Sequence, residues 1–536
     1  MILFHNATVH ASEYTGATAL VIAHGRFLAI GKDADILDAF SSRAKPFNLN
    51  GKTIFPGLID AHIHLRNLAE SMSMVDCETA TRQECLSRVK NLADRLPKDA
   101  WIRGHGWNHN QWVEGFGNAG LLDEVCGGRP AYLTAKSLHA SWANSQALAL
   151  AGIDAQTPDP PGGIIQRDAT GQPTGILLEA GAKKLVEELL PKLSAQDILN
   201  NIRALIPELW EAGLVGVHDF DDFTCWTALQ ALKQTTSTPL RVHKQIPFSH
   251  LDTFIAAGLR TGFGDNHLNL GGVKLFVDGA LGPQTAALFQ PYEGSQVTGD
   301  LLLTEDELFE IGAYSVSHGI SLAVHAIGDL ANHTVLNAFE RIRIYEEEHH
   351  LPHLPYRIEH VQIIDPEDLP RFKKLGVIAS VQPIHAPSDM VMADRFLGSR
   401  ADHAYAYRSL LNSGATLVMG SDAPVEPYHP FYGLHAAVTR CQLDGEPGEA
   451  GWHPEQRLSL SDALLGFTYA PSSVAGFSDQ LGKISPGYQA DFLLLNEGPF
   501  KISPHALGSI QPLATFIAGD CVYNTTEHLF ETQGSE

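Results

Sequence analysis

Pro56-Gly57-Leu58-Ile59-Asp60-Ala61-His62-Ile63-His64 is the stretch from which the fold can be read. A Pro-Gly turn opens it, a largely apolar run follows, and two histidines close it. Side chains alternate along a strand, so residues i and i+2 share a face. His62 and His64 can therefore aim both imidazoles at one point. That suits a metal taking nitrogen donors at about 2.0–2.1 Å. Such a pair also occurs as ordinary core or surface histidines. What decides between the two is whether further donors arrive at the same end of later strands.

From Pro56 onward, buried apolar runs alternate with helical stretches, the pattern of βα units around a parallel sheet. Candidate strands are Leu58–His64, Leu214–Asp219, Leu240–Gln245, Gly272–Val277, Ile320–His325, Arg357–His360, Val377–Val381 and Thr416–Ser421. That is the number a TIM-type (β/α)8 barrel needs. The count holds only if residues 66–208 are one insertion after the first strand, since they are far too many for a βα loop. The expected fold is thus α/β, with a catalytic barrel of residues 56–65 plus 209–479 and an insertion or lid domain of 66–208. Residues 1–55 and 480–523 carry short alternating runs, such as Ala19-Leu20-Val21-Ile22 and Phe492-Leu493-Leu494-Leu495. Neither segment has enough strands to bury a core alone, so the two chain ends are expected to build one small β-sandwich. Residues 524–536 read as a flexible tail.

Active sites of such barrels sit at the C-terminal ends of the strands. The first expected strand ends in His62 and His64, and the fourth carries Lys274. The fifth ends in His325, the sixth in His360, and the eighth leads into Asp422. Each has a structural alternative: a hydrogen-bonded core histidine, a salt-bridged lysine, or an Asp capping a helix before Ala423-Pro424. Together, six ionisable residues buried at one end of a barrel would be costly without a metal to hold them.

Bulk properties exclude other classes. A net charge of −24 over 536 residues argues against nucleic acid or an anionic membrane surface as partner. The 6 cysteines show no CxxC spacing and are too sparse for a disulfide framework. The opening Met-Ile-Leu-Phe-His-Asn has neither a basic region nor a long apolar core, and no run is long enough to span a membrane. A cytoplasmic protein with a small-molecule substrate is expected.

With these residues in place, the chain resembles the amidohydrolase superfamily. The order HxH, Lys, His, His, Asp carries the likeness. So do the flanks Phe55-Pro56-Gly57-Leu58-Ile59-Asp60-Ala61-His62 and Gly482-Lys483-Ile484-Ser485-Pro486-Gly487. Within it, Trp101-Ile102-Arg103-Gly104-His105-Gly106-Trp107, Asn144-Ser145-Gln146-Ala147-Leu148 and Ser421-Asp422-Ala423-Pro424-Val425 are similar to the branch containing N-substituted formamide deformylase. Leu138 and Pro283-Gln284 depart from that branch's pattern. The resemblance implies one or two divalent metals, zinc first among them, held by His62, His64, His325, His360 and Asp422. It also implies an N6-carboxylated Lys274 bridging two ions, with Asp422 as general base. The implied reaction is hydrolysis of an amide or N-formyl C–N bond. A cyclic-amidine deaminase or lactonase on the same centre, and a non-catalytic regulatory barrel, are the alternatives. His139 is a candidate donor to the substrate carbonyl or, equally, a structural histidine capping the helix that carries Asn144 and Ser145. Trp107, Asp278 and Arg440 are candidate substrate-binding residues, Trp107 being open to a core role as well. A homodimer is expected because dimers are common among relatives.

Overall fold

The apolar runs that follow Pro56 pair into one eight-stranded sheet. Its strands are β1 (Leu58–Ile63), β2 (Leu214–Asp219), β3 (Arg241–Pro247), β4 (Leu268–Phe276), β5 (Leu322–Ala326), β6 (Arg357–His360), β7 (Ile378–Val381) and β8 (Thr416–Met419). Neighbours are parallel throughout. β1 and β7 are buried along their whole length, as strands covered on both faces are. Just beyond β8 the sheet meets its own first strand: Asp422 N–H donates to His62 O at 2.7 Å and His64 N–H donates to Ala423 O at 2.9 Å. Asp60 fastens this seam, its carboxylate accepting from Ser421 Oγ at 2.5 Å and from the His62 N–H at 3.0 Å. Gly420 is required there, since a Cβ would stand 2.4 Å from His62 N. The α/β barrel expected from the sequence is therefore present, and its closure runs through the residues that carry the histidines.

The two chain ends build two further sheets in the same unit as the barrel. Arg26–Gly31, Ala19–Ala23, Ile2–His5 and Lys45–Asn48 form one sheet. Thr8–Val9 and Thr53–Pro56 join Phe492–Leu495, Ala514–Ile517 and Asp520–Asn524 in a second. Phe4, Leu20, Phe27 and Ile54 share one apolar core with Phe492, Leu494 and Phe516. The Phe492 and Phe516 rings stack at 4.2 Å. From the barrel, β3 reaches this region through Arg241, whose guanidinium makes a buried double contact with Asp491 at 2.6 and 2.9 Å.

Residues Arg66–Asn201 form a compact unit of their own, and Met1–Leu65 with Ile202–Glu536 form the other. The Arg66–Asn201 unit has a six-stranded sheet in the order Ile164–Arg167, Pro173–Leu178, Ala140–Ala143, Ala131–Ala135, Ile102–Trp107, Val75–Asp76. Its core gathers Trp107, Trp112 and Trp142. The computed structural model describes residues 1–11, 13–72, 74–191, 193–235 and 240–525, so residues 526–536 of the expected tail lie outside the described residues. Among the described residues no helix is long and apolar enough to cross a membrane.

Candidate metal centre

His62 and His64 leave β1 on one side, as the i, i+2 spacing requires, with ring centroids 5.6 Å apart. Asp422 comes to meet them: its Oδ1 lies 3.4 Å from His62 Nε2 and 3.4 Å from His64 Nε2. The His360 ring lies 5.0 Å from that of His62, and the His325 ring 4.5 Å from that of His360. His360 and Asp422 adopt left-handed backbone angles, φ 77° and φ 62°, a conformation uncommon for residues with side chains and concentrated at functional sites.

Each imidazole has one nitrogen tied from behind. His62 Nδ1 meets Glu359 Oε2 at 2.7 Å, His64 Nδ1 meets Asp221 Oδ1 at 3.2 Å, and His360 Nδ1 meets Gln382 Oε1 at 2.8 Å. His325 Nε2 meets Gly279 O at 2.9 Å. An anchored nitrogen fixes the ring and leaves the other one to face the cluster, the second layer that metal-binding histidines carry. His62 Nε2 is buried and has no hydrogen-bond partner. An orphaned acceptor of that kind is expensive unless something fills the space before it.

Electrostatics point the same way. Burial holds the His62 imidazole down to about 4 and His325 down to about 3, so both are neutral and able to donate a lone pair. At His64, burial is outweighed by Asp221 and Asp422, which lift it to about 10. Two carboxylates converge there and call for a cation; a metal ion would supply that charge in place of the proton. Lys274 is buried on β4, with Nζ over the rings of Phe220 at 4.8 Å and Phe276 at 4.7 Å. Burial draws its amine down to about 8.

Three residues of this centre escaped the sequence reading. Glu359 orients His62 and is itself held by Arg357 Nε at 2.5 Å. Asp221 orients His64 from the segment after β2. His385 opens the helix His385–Leu397 after β7, its Nε2 3.6 Å from Asp422 Oδ2. His385 alone had a local signal, since Gln382-Pro383-Ile384-His385 follows β7 directly, a strand end from which the sequence reading took no donor.

The remaining candidate residues have partners of their own. Trp107 takes the core position: it is fully buried, packs on Trp112 and Trp142, and donates Nε1–H to Leu133 O at 2.9 Å. Arg440 is equally buried and serves the backbone, donating to Trp452 O and Tyr405 O, both at 3.0 Å. Asp278 spends its carboxylate on the N–H groups of Ile327, Gly328 and Ala287, so it shapes the turn after β5 that follows His325. His139 does not cap the helix Ser145–Leu150, which is capped by Asn144, whose side chain accepts from Ala147 N–H at 3.0 Å. Within its own unit His139 Nδ1 lies 3.0 Å from Glu179 Oε2.

Residues 46–523 match the amidohydrolase family. The chain belongs to that family. It is 32% identical to the putative amidohydrolase YtcJ of Bacillus subtilis (strain 168), over 90% of this chain and 91% of the relative. It is 28% identical to the N-substituted formamide deformylase of Arthrobacter pascens, over 98% of each chain. The crystal structure of an uncharacterized metal-dependent hydrolase from Pyrococcus horikoshii OT3 superposes with a TM-score of 0.77 at 28% identity, covering 94% of this chain and 98% of that one. As an amidohydrolase the protein is a metal-dependent enzyme that hydrolyses carbon–nitrogen bonds.

Proposed function

We propose that this amidohydrolase cleaves a linear amide or N-formyl C–N bond, using a zinc-type centre held by His62, His64, His325, His360 and Asp422, with Lys274 carboxylated between two ions. The observation that carries the reading is the convergence of Asp422 Oδ1 on the free nitrogens of His62 and His64, each imidazole being tied from behind by a carboxylate. These residues would hold a divalent ion, whose charge would supply polarisation of the scissile carbonyl and a lower pKa for the attacking water.

The protein's own groups do the rest. Asp422 is held ionised, because His385 and His64 outweigh the effect of its burial. Its carboxylate takes the proton of the attacking water and hands it to the departing nitrogen, as a general base turned acid. Phe276 is half exposed although the rest of β4 is buried. Its ring lies 5.2 Å from His325, so it offers an apolar contact beside the reacting group. That contact supports a substrate with an apolar substituent on nitrogen, and the likeness to the N-substituted formamide deformylase supports the same bond class.

The test is a hydrolysis screen of metal-loaded protein on N-substituted formamides, N-acyl amino acids, lactones and aminopyrimidines. Release of amine and formate is expected, and turnover confined to lactones or aminopyrimidines would overturn the reading. Asp422→Asn should lose about 10²–10⁴-fold in kcat, because an amide cannot take up the proton.

A further inference from the structure

We propose that His385 is a direct metal ligand, forming with His360 and Asp422 a second metal position beside the His62–His64 pair. This rests on the reading of the strand ends as a metal centre and goes beyond the set of residues assigned to it above.

The donor geometry leads to it. One ligand atom each from His360, His385 and Asp422 lies within 4.8 Å of the others, and all three side chains are buried. Asp422 divides its two oxygens between two groups of imidazoles. Oδ1 stands 3.4 Å from both His62 Nε2 and His64 Nε2, while Oδ2 stands 3.6 Å from His385 Nε2. These separations are longer than an N–H···O hydrogen bond of about 2.9–3.0 Å. The two Oδ1 separations match the edge of a tetrahedron, about 3.3–3.4 Å, that two donors at about 2.0–2.1 Å from a shared ion would span, and the Oδ2 separation is slightly longer. A carboxylate with one oxygen on each side is the bridging arrangement of a two-metal site.

His385 has no other use for that nitrogen. It is 5% exposed, and its Nε2 makes no hydrogen bond. Its Nδ1 faces Glu426 Oε1 at 4.0 Å, and Glu426 is fixed in turn by the Ser388 hydroxyl at 2.6 Å. His360 is built alike: Gln382 holds Nδ1 and leaves Nε2 free. His325, by contrast, gives Nε2 to Gly279 O, and it is absent from the donor groups whose atoms approach this closely. The helix that begins at His385 thus delivers a donor from the end of β7, one of the strand ends at which the sequence reading found none.

Cobalt(II) titration of chelator-stripped protein tests this, read by visible absorption and elemental analysis. The unmodified chain should take two equivalents and His385→Ala one. His385→Cys should again take two and gain a thiolate-to-cobalt charge-transfer band, which a merely structural role for His385 would not produce. Saturation of the unmodified chain at one equivalent overturns the proposal. So does two-equivalent binding by His385→Ala with unchanged affinities, or a Cys variant without the band. Failure of the unmodified chain to bind cobalt at all would instead overturn the metal-centre reading itself. A His62→Ala/His64→Ala double variant that still takes the His385-dependent equivalent would show that the two positions are separate.

Discussion

Glu359 acts on the chemistry without reaching the reacting atoms. By accepting at His62 Nδ1 it fixes the tautomer that leaves Nε2 as a lone pair, and Arg357 pins the carboxylate from below at 2.5 Å. Replacing it by Ala frees the ring and strands a buried Arg357. The expected outcome for Glu359→Ala is a 10–100-fold loss of metal affinity in chelator competition. Glu359→Gln, which can still accept at Nδ1, should lose less. Lys274 carries a pH prediction. Its amine lies near 8 rather than the ordinary 10.5, with burial as the cause. Only the neutral amine adds carbon dioxide, so bicarbonate-dependent activation of the metal-stripped protein on readdition of zinc should rise with pH and level off above about 8. Activation that is flat between pH 6 and 9 would remove the carboxylated form from the reading. The donors that the sequence displayed openly, His62, His64, His360 and Asp422, stand at or just past strand ends. Glu359, Asp221 and His385 were hidden because their partners come from other strands: Glu359 is 297 residues from His62. Pairings at that separation leave no trace in local spacing.

At the scale of elements, the seam between β1 and β8 both closes the barrel and shapes the metal centre. A side chain at Gly420 would meet His62 N at 2.4 Å and Asp60 Oδ1 at 2.6 Å. Backbone there cannot yield without moving His62. Gly420→Ala should therefore cost stability by about 1–3 kcal/mol and weaken metal binding together, measured by denaturant unfolding and cobalt titration. Ser421→Ala removes the hydroxyl bond to Asp60 and the one the hydroxyl accepts from Ala423 N–H, and about 1–2 kcal/mol with unchanged metal binding is expected. If Gly420→Ala lost stability alone, the seam would be a barrel joint and nothing more. Strand boundaries show which local signals mislead. β2 and β6 fall where the sequence put them, at Leu214–Asp219 and Arg357–His360. β4 begins at Leu268, earlier than the Gly272 expected, because Gly271-Gly272 reads as a break. Gly272 is in fact inside the strand, where a Cβ would come within 2.7 Å of the Ser321 backbone on the approach to β5. A glycine demanded by close packing and one demanded by a turn look alike in a single sequence. β8 stops at Met419, short of Ser421, because the chain turns there toward Asp60.

At the scale of the whole molecule, an ionic contact ties the region built from both chain ends to the barrel. Arg241 on β3 meets Asp491, 250 residues away, with side chains only 5% and 6% exposed. Asp491 also accepts from Ala518 N–H at 2.8 Å, so a single carboxylate gathers a barrel strand and a C-terminal turn. The sequence offered no means of pairing these two residues, although it did show that each chain end alone has too few strands for a core. A buried pair of this kind contributes little over an apolar pair of the same volume, while removing one partner strands the other charge at a cost of about 3–5 kcal/mol. Arg241→Met should therefore destabilise strongly, and Arg241→Met with Asp491→Leu should recover most of that loss. Because a chain of this size does not unfold in one step, the measurement is the first unfolding transition in urea, followed beside cobalt binding. The strained single variant should lose the terminal sheets before the barrel, with metal binding retained through the first transition. Loss of cobalt in that same transition would mean that the sheets and the barrel fold as one cooperative body, and that the distant ion pair supports the metal centre directly.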